Sequence, residues 1–186
     1  IELANEQGEQ SELDETFYFQ FGACHERLKD FDQAGELFLK AINLIPPEGA
    51  DAEYGDRSRA LLARITNYLG YMWADRQMHL EEALELIARA VALDPENPAY
   101  LDSLGWVHFR LGDLAEAERW LRRAVDLGAG LGDGTIYCHL GEVLLSGGER
   151  EEGRRYLLLG LDMGCDDPDH VRSLLESTEN DQQRQP

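Results

Sequence analysis

The stretch Leu101-Asp102-Ser103-Leu104-Gly105-Trp106-Val107-His108, followed by Ala117, Leu121 and Ala124, decides the fold, because altered copies of it recur along the chain. Gly105 lies 35 residues after Gly70 and 36 before Gly141, and Gly22 lies 48 before Gly70, the same unit plus an insertion. The surroundings repeat with the glycines. The first unit reads Tyr18, Phe21, Gly22, His25, then Ala34, Phe38, Ala41, Pro46. The second reads Thr66, Leu69, Gly70, Trp73, then Ala83, Ile87, Ala90, Pro95, and the fourth Tyr137, Leu140, Gly141, Leu144, then Gly153, Leu157, Gly160. Within each unit apolar residues return at i, i+3, i+4 and i+7, the period of a helix. A glycine inside a helix costs about 1 kcal/mol relative to alanine, so four at one phase need a reason. The reading is close packing of the first helix of each unit on a small residue of the second (Ala34, Ala83, Ala117, Gly153), where a side chain would hold the backbones apart.

The spacing predicts helices over 15–28, 31–45, 57–74, 80–93, 98–111, 114–127, 134–146 and 150–163. Asp113 is placed to cap a helix with Glu116 reaching back, and Asp30 with Gln33 repeats the arrangement. Asn97-Pro98 is a cap with proline at the first helical position, and Pro95 helps end the helix before it. Residues 46–56 form a loop insertion whose last residue, Asp56, is expected to cap a long helix ending near Ala74. Asp167-Pro168 opens a last helix with Val171, Leu174 and Leu175 on one face. Residues 179–186 read as a disordered tail. Ile1 and Leu3 match Ile42 and Leu44, so the acidic segment 1–14 is expected to be the end of an upstream repeat.

These residues resemble the tetratricopeptide repeat over about 15–165: an aromatic residue or Leu, Leu-Gly, Tyr, then Ala, Phe, Ala and Pro at fixed offsets. Departures are one extra residue between the helices of the second unit, Ala129 in place of the closing Pro of the third, and Gly153 and Gly160 in place of alanines in the fourth. The resemblance implies an all-α, right-handed superhelical α-solenoid of antiparallel helix pairs, with about four repeats and a C-terminal capping helix. The repeat domain would span 15–178, with units at about 15–46, 57–95, 98–130 and 134–165 and the cap at 168–178. It also implies a concave groove lined by the first helices. Projected on those helices, the residues off the core face are Phe19, Arg64, Asn67, Tyr71, Asp102, Trp106, Phe109, Arg110, Cys138, Glu142 and Leu145. Tyr71, Trp106, Phe109 and Arg110 are of the types that anchor interfaces; the competing reading is that Tyr71 and Trp106 pack between neighbouring first helices.

The function implied is a non-enzymatic scaffold or adaptor binding a protein or peptide segment in that groove. The alternative is an assembly module that self-associates or joins a longer chain through array ends or the convex face. Members that hold the C-terminal carboxylate of Hsp70 or Hsp90 use Lys, Asn and Arg on successive first helices. Phe19, Ala23, Ala99 and Ser103 stand at the corresponding places and Asn67 alone survives, so the sequence lacks that clamp. The middle of the chain is similar to bacterial members, many of them envelope lipoproteins or adaptors, a resemblance that leaves the compartment open among bacterial cytoplasm, periplasm and envelope.

Composition narrows the remaining classes. The formal charge is -20 over 186 residues. Segments 1–15, 46–56 and 164–186 hold -14 of it, which leaves -6 for the repeat helices and a nearly balanced groove, with Arg64 and Arg110 against Asp102 and Glu142. Nucleic acid is excluded as a partner for want of a basic stripe. No apolar run approaches the roughly 20 residues that cross a bilayer. Cys24, Cys138 and Cys165 are too few for a disulfide framework. In Cys24-His25 and Cys138-His139 the side chains point about 100° apart on a helix, which makes no chelating face. The glycine-rich run 128–134 lacks the Lys and Ser/Thr of a phosphate loop and reads as a turn. No catalytic motif and no cofactor is expected.

Overall fold

The computed structural model describes residues 13–46, 55–128 and 133–183. Among them are nine helices and no strand: α1 Glu15–Arg27, α2 Phe31–Leu44, α3 Gly55–Asp75, α4 Leu80–Leu93, α5 Pro98–Leu111, α6 Leu114–Gly128, α7 Gly134–Ser146, α8 Arg150–Met163 and α9 Pro168–Gln183. The chain divides into two compact units, one reaching to Thr66 and one starting at Asn67, so α3 contributes to both.

In the first unit α1 pairs with α2. A Cβ on Gly22 would meet Phe38 Cε1 at 2.7 Å, and Ala34, Phe38 and Ala41 are fully buried. In the second unit the same approach recurs three times. A Cβ on Gly70 would lie 2.5 Å from Ile87 Cγ1 and 3.0 Å from the Ala83 carbonyl oxygen. On Gly105 it would lie 2.5 Å from Leu121 Cγ and 3.0 Å from the Ala117 oxygen, and on Gly141 2.9 Å from the Gly153 oxygen. The small-residue partners expected in the second unit are therefore the ones met. Gly153 and Gly160 follow the same logic: Cβ atoms there would strike the Gly141 oxygen and Cys138 Sγ, respectively. The fourth repeat thus brings α7 and α8 closer than alanines would allow.

One turn joins the helices of every pair. The N–H of Asp30 donates to the His25 carbonyl, Met78 to Trp73, Asp113 to His108 and Glu149 to Leu144, each at 2.8–2.9 Å. This six-residue closure needs a left-handed residue just before the donor. Gly112 (φ 87°) and Gly148 (φ 89°) supply it without strain, while Lys29 (φ 62°) and Gln77 (φ 55°) hold the same place as L-residues. The extra residue of the second repeat enters after this closure, at His79, itself left-handed (φ 44°). The turn is therefore preserved and α4 starts one residue later.

Caps follow the sequence with three differences. Asp14, Asp30, Asn97, Asp113, Asp133 and Asp167 accept from main-chain N–H groups at helix starts. The reciprocal half of the capping boxes is not made. The Glu116 carboxylate accepts from Arg119 and from Trp120 Nε1, and Gln33 donates to Glu36, because these partners lie one turn on along the same helix face. Asp56 is not a cap: α3 begins at Gly55 and Asp56 lies in its first turn. α9 does not stop at 178 but continues to Gln183, since Glu179 to Gln183 contain no breaker before Pro186. The 1–14 segment lies outside the described residues up to 12, the insertion over 47–54, and the tail over 184–186.

The second unit's core runs from pair to pair. Ala117 and Leu121 of α6 pack with Leu140, Val143 and Leu144 of α7, and Leu101 with Ala124 and Ile136. Val171 and Leu175 of α9 close it on Cys138 and Leu157, with Leu174 partly buried beside them. Arg154 of α8 fastens α9 by donating to the Leu175 carbonyl and the Thr178 hydroxyl.

Candidate functional site: the face of the first helices

Phe19 and Arg64 lie in the first unit, with the guanidinium 5.1 Å from the ring centroid. The other expected groove residues lie in the second unit, on α3, α5 and α7. Arg110 Cζ sits 4.3 Å from the Trp106 ring centroid, and Trp106 meets Phe109 at 5.2 Å. A guanidinium over an indole face is held by the ring quadrupole as well as by contact. Arg110 also lies 3.8 Å from the Asp75 carboxylate.

Beneath this group is a contact that the sequence does not announce. His139 Nδ1 lies 2.9 and 3.0 Å from the two carboxylate oxygens of Asp102, and both residues are buried. Trp106 stacks on the imidazole, with centroids 3.9 Å apart and planes 17° from parallel, and Tyr71 lies against the same ring at 6.1 Å. Burial opposes a charged imidazole. The Asp102 carboxylate, with Glu142 and Asp75 behind it, outweighs that penalty and holds the His139 pKa above its ordinary value. Burial, then Asp102 and Asp75, push the Tyr71 hydroxyl well up, so it stays a neutral donor.

Exposure sorts the expected residues. Trp106 (4%) and Asp102 (6%) are buried, and for Trp106 the packing reading describes what is seen. Asn67, Tyr71, Phe109, Arg110 and Glu142 are half-buried. Glu142 accepts from His170 of α9 at 3.1 Å. Asn67 Oδ1, Trp106 Nε1 and Arg110 Nε are buried and find no hydrogen-bond partner among the described residues. His139 is the residue that sequence reasoning missed as a partner. Its spacing of 37 residues from Asp102 is not the 35- or 36-residue repeat, so no motif marks the pair.

Other histidines have structural partners. His25 Nδ1 lies 3.0 Å from Asp30 and His108 Nδ1 3.8 Å from Asp113, each pairing a first helix with the cap of its second. Among the described residues no cluster of three His, Cys, Asp or Glu side chains is placed to hold a metal ion, and no helix is long and apolar enough to cross a membrane.

Comparison with known proteins gives the same architecture. Two family models described as tetratricopeptide repeat match residues 15–48 and 74–131. A TPR repeat-containing protein of Pseudomonas aeruginosa is 46% identical over 126 residues, 64% of this chain. The match spans only 21% of that protein's length. MamA from Desulfovibrio magneticus RS-1 superposes over 87% of this chain and 82% of its own, with TM-score 0.65 at 17% identity. The first TPR of Spaghetti (RPAP3), solved bound to an HSP90 peptide, covers 67% of this chain and 95% of its own, with TM-score 0.57 at 18% identity. These two likenesses show the fold.

Proposed function

The chain belongs to the tetratricopeptide-repeat family, and from that premise we propose that it is a non-enzymatic scaffold that takes a protein or peptide segment along the first-helix face of its second unit. Proteins of this family generally mediate protein–protein interactions. The observation that carries the finer reading is the half-buried rim of Tyr71, Phe109, Arg110 and Glu142 around a buried floor of Trp106 stacked on the Asp102–His139 pair. Aromatic and arginine side chains on a pre-ordered support lose little entropy on binding and make effective anchors. Among the described residues Arg110 has one long ion pair and an Nε without a hydrogen-bond partner, which leaves guanidinium donors to offer a partner's carbonyl or carboxylate oxygens.

A segment held in this way differs from one held by the Hsp-type clamp. RPAP3 is a neighbour in fold only, and Phe19, Ala23, Ala99 and Ser103 carry none of the clamp's charge. The test is partner capture by wild type and by Tyr71→Ala/Phe109→Ala/Arg110→Ala, with helicity checked by circular dichroism. Trp106 is left intact because removing it would open the floor. Loss of the captured partners at unchanged helicity is expected; an unchanged set of partners sinks the groove reading.

A further inference from the structure

We propose that Asp102 and His139 form a proton-controlled tie between α5 and α7, tight while the imidazole is charged and loosened when it gives up its proton. This inference does not rest on the groove reading. The pair joins side chains 37 residues apart, and each is less than one-tenth exposed. Both carboxylate oxygens approach the same ring nitrogen, at 2.9 and 3.0 Å, so Nδ1 carries a hydrogen and Asp102 accepts it. The proton that leaves is then the one on Nε2.

Charge on the ring is favoured from several sides. Asp102 faces it from α5, Glu142 from its own helix and Asp75 from the end of α3. The Trp106 face stacked on it prefers a cation to a neutral ring. The opposing groups are fewer. Arg110 lies on the Trp106 ring, and His170 is engaged with Glu142. Tyr71 and Cys138, the other titratable groups nearby, are both held neutral by burial. Deprotonation therefore leaves a buried carboxylate facing an uncharged ring, which keeps a hydrogen bond and loses the ion pair.

The sign follows from linkage. A folded-state pKa above the unfolded value of about 6.5 gives a contribution that is complete below that value and fades as pH rises through the folded one. Each unit of elevation multiplies the folded-to-unfolded ratio about tenfold at the acid end. The imidazole of His139 is followed by NMR from pH 5 to 9.5 in the intact chain, where no variant is needed. A midpoint clearly above about 6.5 is expected; one at or below it overturns the tie. In Asp102→Asn, which keeps the shape and removes the charge, the midpoint should fall by at least one pH unit, and an unmoved midpoint would also overturn it. The urea-midpoint difference between wild type and His139→Gln should be largest near pH 6 and shrink toward pH 9. A difference constant with pH would reduce the contact to packing.

Discussion

Replacing Gly105 with alanine sets two effects of opposite sign against each other. Helix propensity favours the substitution by about 1 kcal/mol in a helix interior. The structure opposes it, because the new Cβ would lie 2.5 Å from Leu121 Cγ and 3.0 Å from the Ala117 carbonyl oxygen. Ordinary carbon contacts are about 3.5–4.0 Å, so the overlap with Leu121 is on the order of 1 Å. Neither neighbour yields easily. Leu121 Cγ is a branch point in a fully buried side chain, and the oxygen belongs to the backbone of α6. Overpacking of this kind costs roughly 1–3 kcal/mol. With both partners rigid we place it at the upper end, for a net loss of about 2 kcal/mol after the propensity gain is taken off. Urea unfolding followed at 222 nm measures it. Gly55→Ala is the control, since nothing lies within 4 Å of a Cβ there, and it should be neutral or slightly stabilising. Gly105→Ala as stable as wild type, or more so, would refute the claim that close helix approach is what places glycine at this phase.

Three further outcomes follow from the same geometry. Gln77→Gly relieves a left-handed L-residue in a turn where Gly112 and Gly148 occupy the equivalent place; thermal unfolding should show a gain of about 0.5 kcal/mol, the relief being partly offset by glycine's freedom in the unfolded chain. Leu140→Ala empties a fully buried site against Ala117, Leu121 and Leu144, and denaturant titration should register a loss of about 2–5 kcal/mol. Arg122 of α6 donates to both Glu152 oxygens of α8 and to Glu118, which holds the Glu152 carboxyl below its usual range. A lowered folded pKa contributes stability above the unfolded value that is lost as pH falls through the folded one. The deficit of Arg122→Gln should therefore be small, shrink in 1 M salt and vanish in acid; a deficit indifferent to salt and pH would count against an ionic link.

The fold was legible because its determinants are periodic. Gly22, Gly70, Gly105 and Gly141 announce the first helices, and Asp30, Asn97, Asp113 and Asp167 announce helix starts, so predicted boundaries fall within about two residues of those found, except at the open end of α9. The turn was only half visible. Gly112 and Gly148 are glycines where the backbone wants them, whereas Lys29 and Gln77 adopt the same conformation without any mark in the sequence. The Asp102–His139 pair was not legible, because it depends on how one helix pair stacks on the next, and helical phase within a unit carries no such information. The same limit explains Trp106 and Asp102, which face away from their own pair's core and are covered by a neighbouring first helix instead.

Binding of a partner at the first-helix face of the second unit, as proposed, is tested most directly by crosslinking. A photo-crosslinking amino acid placed at Phe109, on that face, and separately at Leu158, exposed on α8, compares the two surfaces in one lysate. A discrete adduct is expected from position 109, suppressed when Arg110→Ala is added, and none from 158. Adducts from 158 alone, or equally from both positions, would contradict it.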